Sequence, residues 1–127
     1  MPSLHHILVV EDDTDIANGL RAVLELDAHE VAISRNGYDA IEQGQRFKAD
    51  VVLCDIGLPG MDGYQVARAF RADEQLRATF LIALSGYAQA DDLARTRAAG
   101  FDEHMAKPVR IDKIQRLLST VPRRSTS

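Results

Sequence analysis

The chain contains one cysteine, Cys54. It therefore forms no intrachain disulfide, and no cysteine cluster exists to bind zinc. No apolar run approaches the roughly 20 residues that span a bilayer. The start, Met1-Pro2-Ser3-Leu4-His5-His6, lacks the basic region and apolar stretch of a secretion signal. A large excess of one sign of charge is also missing. The net charge is −4, which argues against nucleic acid as the main partner. The Arg123-Arg124 pair lies in a polar tail ending Ser125-Thr126-Ser127. Neither phosphate-binding glycine pattern, G-x-x-x-x-G-K-[ST] or G-x-G-x-x-G, occurs. Internal repeats and low-complexity segments are missing too. These absences predict a cytoplasmic protein without a membrane span.

What is present suffices for one core. The 127 residues are 46% hydrophobic, and a chain of this size buries roughly two-thirds of its unfolded surface. One domain over residues 1–127 is expected, with a core from about 6 to 121 and a polar tail at 122–127.

Two kinds of segment alternate. Four apolar runs, Ile7-Leu8-Val9-Val10, Glu30-Val31-Ala32-Ile33, Val51-Val52-Leu53-Cys54 and Phe80-Leu81-Ile82-Ala83-Leu84, are short and β-branched, as strands covered on both faces require. A weaker fifth run is Glu103-His104-Met105-Ala106. Between them lie helical patterns. Ile16, Leu20, Val23 and Leu24 share a face, as do Ile41, Gly44 and Phe47. Asp62 stands as an N-cap before Val66, Ala67 and Phe70. An alanine-rich stretch from Ala90 to Ala99 ends at Gly100, a C-terminal cap. The last helix carries Ile111, Ile114, Leu117, Leu118 and Val121. Five strands alternating with five helices predict an α/β fold. Right-handed crossovers make it a doubly wound parallel sheet, order 2-1-3-4-5, of flavodoxin-like type.

Such folds bind ligands at the carboxyl ends of their strands. Strand one ends in Glu11-Asp12-Asp13, strand three in Asp55, strand four in Ser85-Gly86 and strand five in Lys107-Pro108. In the expected order these four ends are neighbours. Their crevice holds several carboxylates, a hydroxyl and an ammonium. Packed carboxylates repel one another unless a cation neutralises them. All the donors are hard oxygens, which selects Mg²⁺ or a relative such as Mn²⁺. Mg²⁺ commonly takes phosphate oxygens as well, so the crevice suits a phosphoryl group, with Ser85 and Lys107 on its remaining oxygens. In the loop after Asp55, Pro59-Gly60 fits a type II turn, and Gly57 brings bare backbone beside the acidic centre. Gly60 and Gly63 read as turn glycines. Cys54 points to the opposite face, into the core. His5, His6 and His29 show no ligand spacing and read as surface residues.

These motifs, with the Leu58-Pro59-Gly60-Met61-Asp62-Gly63 tail, Leu84-Ser85-Gly86 and Lys107-Pro108 in this order, resemble the receiver domains of two-component response regulators. The resemblance runs from about His6 to Val121. It implies that Asp55 is the phosphoacceptor. It implies Mg²⁺ held by Asp12, Asp55 and the Gly57 carbonyl, with Glu11 acting through water. Asp13 falls one position too late to be a ligand. Ser85 and Lys107 would hold phosphoryl oxygens, across a Lys107–Pro108 peptide that is often cis in the family. The expected partners are a histidine kinase or histidine phosphotransfer domain as donor. The expected output is a downstream protein on the surface from the fourth strand to the fifth helix. Such a chain is a signalling receiver rather than an enzyme.

Three positions depart from the family. His104 stands where the family has a switching aromatic ring paired with Ser85. Gly57 and Tyr87 occupy positions that tune acyl-phosphate lifetime. Gly86 leaves room for the donor. Only about twenty residues follow Lys107, so no output domain is expected within this chain. It reads as a stand-alone response regulator or as the receiver of a hybrid histidine kinase. A second class competes: Asp13-Thr14-Asp15 resembles the nucleophile motif of haloacid-dehalogenase-like Mg²⁺ phosphatases, with Asp13 as nucleophile. Turnover separates the two, because a phosphatase releases phosphate catalytically and a receiver becomes stoichiometrically labelled.

Overall fold

The structure, a computed structural model, describes residues 5–86 and 90–121, without the side chains of 90–92. Strands and helices alternate: β1 (His6–Val10), α1 (Thr14–Leu26), β2 (Glu30–Ser34), α2 (Gly37–Phe47), β3 (Val51–Asp55), α3 (Gly63–Ala72), β4 (Phe80–Ser85), α4 (Ala90–Ala99), β5 (Glu103–Ala106) and α5 (Ile111–Ser119). All strand pairs are parallel. The sheet order is β2-β1-β3-β4-β5, the expected one.

Side chains alternate across a strand, so one run feeds two cores. Leu8, Val10, Val52, Cys54, Leu81 and Ala83 point to one face, where Val66, Ala67 and Phe70 of α3 cover them. Ile7, Val9, Val51, Leu53, Ile82 and Leu84 point to the other, against Leu20 and Leu24 of α1 and Ile114 and Leu118 of α5. Each large aliphatic side chain buried this way contributes about 1.5–3 kcal/mol relative to exposure. Every residue of β3 is buried, as a central strand of a doubly covered sheet requires.

Polar side chains start three helices. Asp13 Oδ1 accepts the Ile16 amide at 3.1 Å, and Asn36 Oδ1 accepts the Asp39 amide at 2.8 Å. Asp62 and Gln65 form a reciprocal capping box, 2.9 and 3.0 Å. Such caps contribute about 1 kcal/mol each. Gly100, at φ +117°, ends α4. A side chain there would collide with Arg71 Cγ at 2.7 Å. The space is needed because Arg71 ties the lower end of the sheet together. It donates to Gly100 O at 2.8 Å, to Thr79 O at 2.7 Å and to Asp102 Oδ2 at 2.8 Å.

Two sequence expectations need correction. His5 is buried, not a surface residue: it is 1% exposed and its Nε2 lies 3.1 Å from Leu118 O. Residue 5 precedes β1, and α5 closes over it where periodicity gives no sign. Ile16, expected on the covered face of α1, is 38% exposed. Ala17, next to it, takes the inward position instead.

Candidate functional site

The carboxyl edge of the sheet gathers the polar residues. Glu11 follows β1 directly and is 1% exposed. Its amide donates to Ser34 O at 3.0 Å, so the backbone is still held by β2 here. Asp12 is exposed. Asp55 is the last residue of β3, and Ser85 is the last of β4. Each of these two strands therefore reaches one residue beyond its apolar run, because the ladder continues: Asp55 pairs with Leu84 and Ser85 with Ala106. Lys107 follows β5, and its amide donates to Ser85 O at 2.8 Å. The Lys107–Pro108 peptide is cis.

Glu11, Asp12 and Asp55 each offer a carboxylate oxygen, all within 4.8 Å of one another. The Lys107 ammonium reaches into this group. Nζ lies 2.8 Å from Glu11 Oε1 and 3.4 Å from Asp55 Oδ2. Burial pushes the Glu11 carboxyl above its ordinary range; the Lys107 hydrogen bond opposes this without cancelling it, and the Asp55 charge adds to it. For Lys107, burial works downward. The Glu11 bond and the charges of Asp55 and Glu11 outweigh it, so the ammonium is held above its ordinary value. At neutral pH the lysine is a fixed cation among crowded anions. Oxygen donors alone, partly neutralised, make a site for a hard divalent cation.

Backbone shapes the rest. Gly57 N donates to Asp55 Oδ1 at 3.1 Å, which orients the carboxylate. Gly60 has φ +76°, as the turn at Pro59-Gly60 requires. Gly63 does more than turn the chain, contrary to its sequence reading. Its amide donates to Ile56 O at 2.9 Å. A Cβ there would stand 2.6 Å from Ile56 Cα and 2.7 Å from Asp55 O. The start of α3 therefore presses on the backbone of Asp55 itself, and only glycine allows it. Sequence spacing carries no signal for such a contact between chain segments.

The remaining site residues fall as follows. Ser85 Oγ lies 2.7 Å from His104 Nε2, which joins the two expected switch residues directly. Gly86 is exposed, and a Cβ there would meet nothing within 4 Å. Tyr87 lies outside the described residues, as does the 122–127 tail. Asp13 caps α1 and its amide donates to Glu11 Oε2 at 3.2 Å. It is outside the carboxylate group, so the geometry gives the phosphatase reading no nucleophile.

Comparison with known proteins agrees with this geometry. Residues 7–119 match the family model of the response regulator receiver domain. The cell cycle response regulator CtrA of Brucella ovis is 32% identical over 119 residues, covering 94% of this chain and 50% of that protein. The chain thus spans about half the length of the curated relatives it matches. Among solved structures, the receiver domain of the Pseudomonas aeruginosa sensor histidine kinase PA1611 has 32% identity and a TM-score of 0.83. It covers 92% of this chain and 96% of that one, and it is described with a magnesium ion coordinated in its active-site cleft. The Vibrio cholerae chemotaxis protein CheY4, at 22% identity, shares the fold with a TM-score of 0.88 over 94% of this chain and all of that one. The fold and the family model agree, and the chain belongs to the response regulator receiver domains of two-component systems. Among the described residues no helix is long and apolar enough to cross a membrane.

Proposed function

We propose that residues 6–121 form a phosphoacceptor domain in which Asp55 receives a phosphoryl group from a phosphohistidine. The donor is a histidine kinase or a histidine phosphotransfer domain. One Asp55 oxygen attacks phosphorus, the phosphorus–nitrogen bond breaks, and the imidazole leaves with the bonding pair. The product is an aspartyl phosphate. One observation carries this reading: Asp55 ends the central strand inside a group of three carboxylates, with an ammonium 3.4 Å from its oxygen.

The chain's own residues position and neutralise rather than react. Gly57 N–H turns the Asp55 carboxylate. Lys107 donates to a phosphoryl oxygen and offsets its charge, and Ser85 donates to a second. Glu11, Asp12, Asp55 and the Gly57 carbonyl are the residues that would hold Mg²⁺, or Mn²⁺ in its place. The crowding of oxygen donors supports this, as does the magnesium named in the PA1611 receiver. When bound, the cation polarises phosphoryl oxygens and offsets the site's negative charge. Gly57 stands beside the Asp55 carboxylate, and the sequence positions of Gly57, Gly86 and Tyr87 are those expected to set how readily water or donor approaches the acceptor. Ser85 and His104 pass the change to the surface between β4 and α5, where a downstream protein binds.

The test is labelling. With acetyl phosphate and Mg²⁺, wild type gains the mass of one phosphoryl group, and Asp55→Asn does not. Full labelling of Asp55→Asn at a single site refutes the assignment.

A further inference from the structure

His104 pairs with one hydroxyl and shares a cavity with a second. Its Nε2 is 2.7 Å from Ser85 Oγ. It also lines a cavity of about 190 Å³ with Leu93, Thr96, Arg97, Phe101, Asp102 and Glu103. Thr96, on α4, is 2% exposed, and among the described residues its Oγ1 has no hydrogen-bond partner. A buried hydroxyl without a partner is costly, and it calls for a reason. The cavity is several times the roughly 30 Å³ that one water occupies in the liquid. An imidazole can therefore turn within it while the apolar core stays packed.

We propose that Thr96 is the second seat of a two-position latch: Ser85 holds the His104 ring in the resting domain, and the Thr96 hydroxyl holds it after phosphorylation. The proposal rests on the phosphoacceptor reading above. Ser85 has a single hydroxyl proton. Once that proton is donated to a phosphoryl oxygen, Ser85 no longer donates to His104 Nε2. The ring then satisfies the orphaned Thr96 hydroxyl. A hydroxyl both donates and accepts, so either imidazole tautomer fits this seat. One hydrogen bond is exchanged for another, which keeps the two positions close in free energy, as a switch requires. Because Thr96 belongs to α4, the exchange carries an event at β4 onto the helix that flanks the output surface.

The test uses Thr96→Val, which keeps the side-chain shape and removes the hydroxyl. Beryllofluoride with Mg²⁺ serves as the phosphoryl mimic. Amide shifts at residues 55–57 report its binding, and those at 93–106 report the response. Thr96→Val should bind the mimic as wild type does. Its ratio of activated to resting signal at 93–106 should fall roughly fivefold, the equivalent of one net hydrogen bond. Thr96→Ser should restore the response. The resting melting temperature of Thr96→Val should be kept or raised, since an unsatisfied group is gone. In wild type, contacts between His104 ring protons and the Thr96 methyl should strengthen when the mimic binds, a measurement independent of any variant's folding. A wild-type response in Thr96→Val overturns the latch, and so do unchanged ring contacts. If wild type shows no change at 55–57, the phosphoacceptor reading itself has failed, and the latch falls with it.

Discussion

Lys107 is the cation that makes the carboxylate group tolerable, so its removal gives the most direct test of the site's electrostatics. In Lys107→Ala, Glu11 and Asp55 are left facing each other with the ammonium gone. Breaking a fully buried ion pair costs about 3–5 kcal/mol, and a surface pair about 0–1 kcal/mol. Here the side chains of Glu11, Asp55 and Lys107 are 1%, 12% and 23% exposed. That places the cost between the limits, at about 2 kcal/mol. For a domain of this size the melting temperature then falls by roughly 6–10 °C in EDTA. The pH sign is clear. A lysine held above its ordinary value stabilises the fold fully below that value, and the benefit is lost only as pH rises through the higher one. A melt at pH 7 therefore records the whole effect. Mg²⁺ should substitute for the missing charge. At tenfold its dissociation constant it returns about 1.4 kcal/mol, so the Mg²⁺-induced rise is at least as large in the variant as in wild type. Lys107→Met keeps the stem's packing and separates charge from contact; it should melt close to Lys107→Ala. The measurement is calorimetry in EDTA and in Mg²⁺. If Lys107→Ala in EDTA melts within about 1 °C of wild type, the ammonium does not neutralise this site.

Asp12→Ala should abolish most of the Mg²⁺-induced rise in melting temperature, since it removes the exposed member of the carboxylate group; a rise equal to wild type's refutes its role as a ligand. Gly63→Ala should destabilise by about 1–3 kcal/mol in urea titrations, because the added Cβ overlaps backbone rather than a movable side chain; an unchanged midpoint refutes the close contact. Burial, and next the facing His5, hold His29 below its ordinary 6.5. Its folded form thus binds fewer protons than the unfolded chain, and stability falls as pH drops through 6.5 towards the lower value. Urea midpoints at acid and neutral pH should converge in His29→Gln, and an unaltered difference refutes the contribution.

The fold was legible because its signals are local. Each strand is a short apolar run, and each lies within a residue of its expected bounds. The weak Glu103–Ala106 run is the instructive case. It carries one inward hydrophobic, Met105, and two charged or polar residues, so composition alone argues poorly for a strand. Its place at the end of an alternating series, before Lys107, identified it. Asp62 and Gly100 were legible for the same reason, since caps act over three or four residues. His5 was not, because its burial depends on α5, more than a hundred residues away. Arg71 was missed likewise. Its partners Thr79, Gly100 and Asp102 are scattered along the chain, and an arginine in an amphipathic helix reads as a solvated one.

The site divides along the same line. Glu11, Asp12, Asp55, Ser85 and Lys107 were found by their position at strand ends, because topology alone brings strand ends together. What topology leaves open is which groups pair. Lys107 could face either the acceptor or open solvent. The structure gives it to Glu11 at 2.8 Å, with Asp55 farther away at 3.4 Å. The difference has a chemical consequence. Under the proposed function, a lysine clamped on Asp55 would compete with an incoming phosphoryl group for its oxygens. Anchored on the buried Glu11, it keeps its charge beside Asp55 while the closer hydrogen bond goes elsewhere. Under the proposed function Asp55 is thus neutralised without being capped, and the buried Glu11 works as the lysine's anchor.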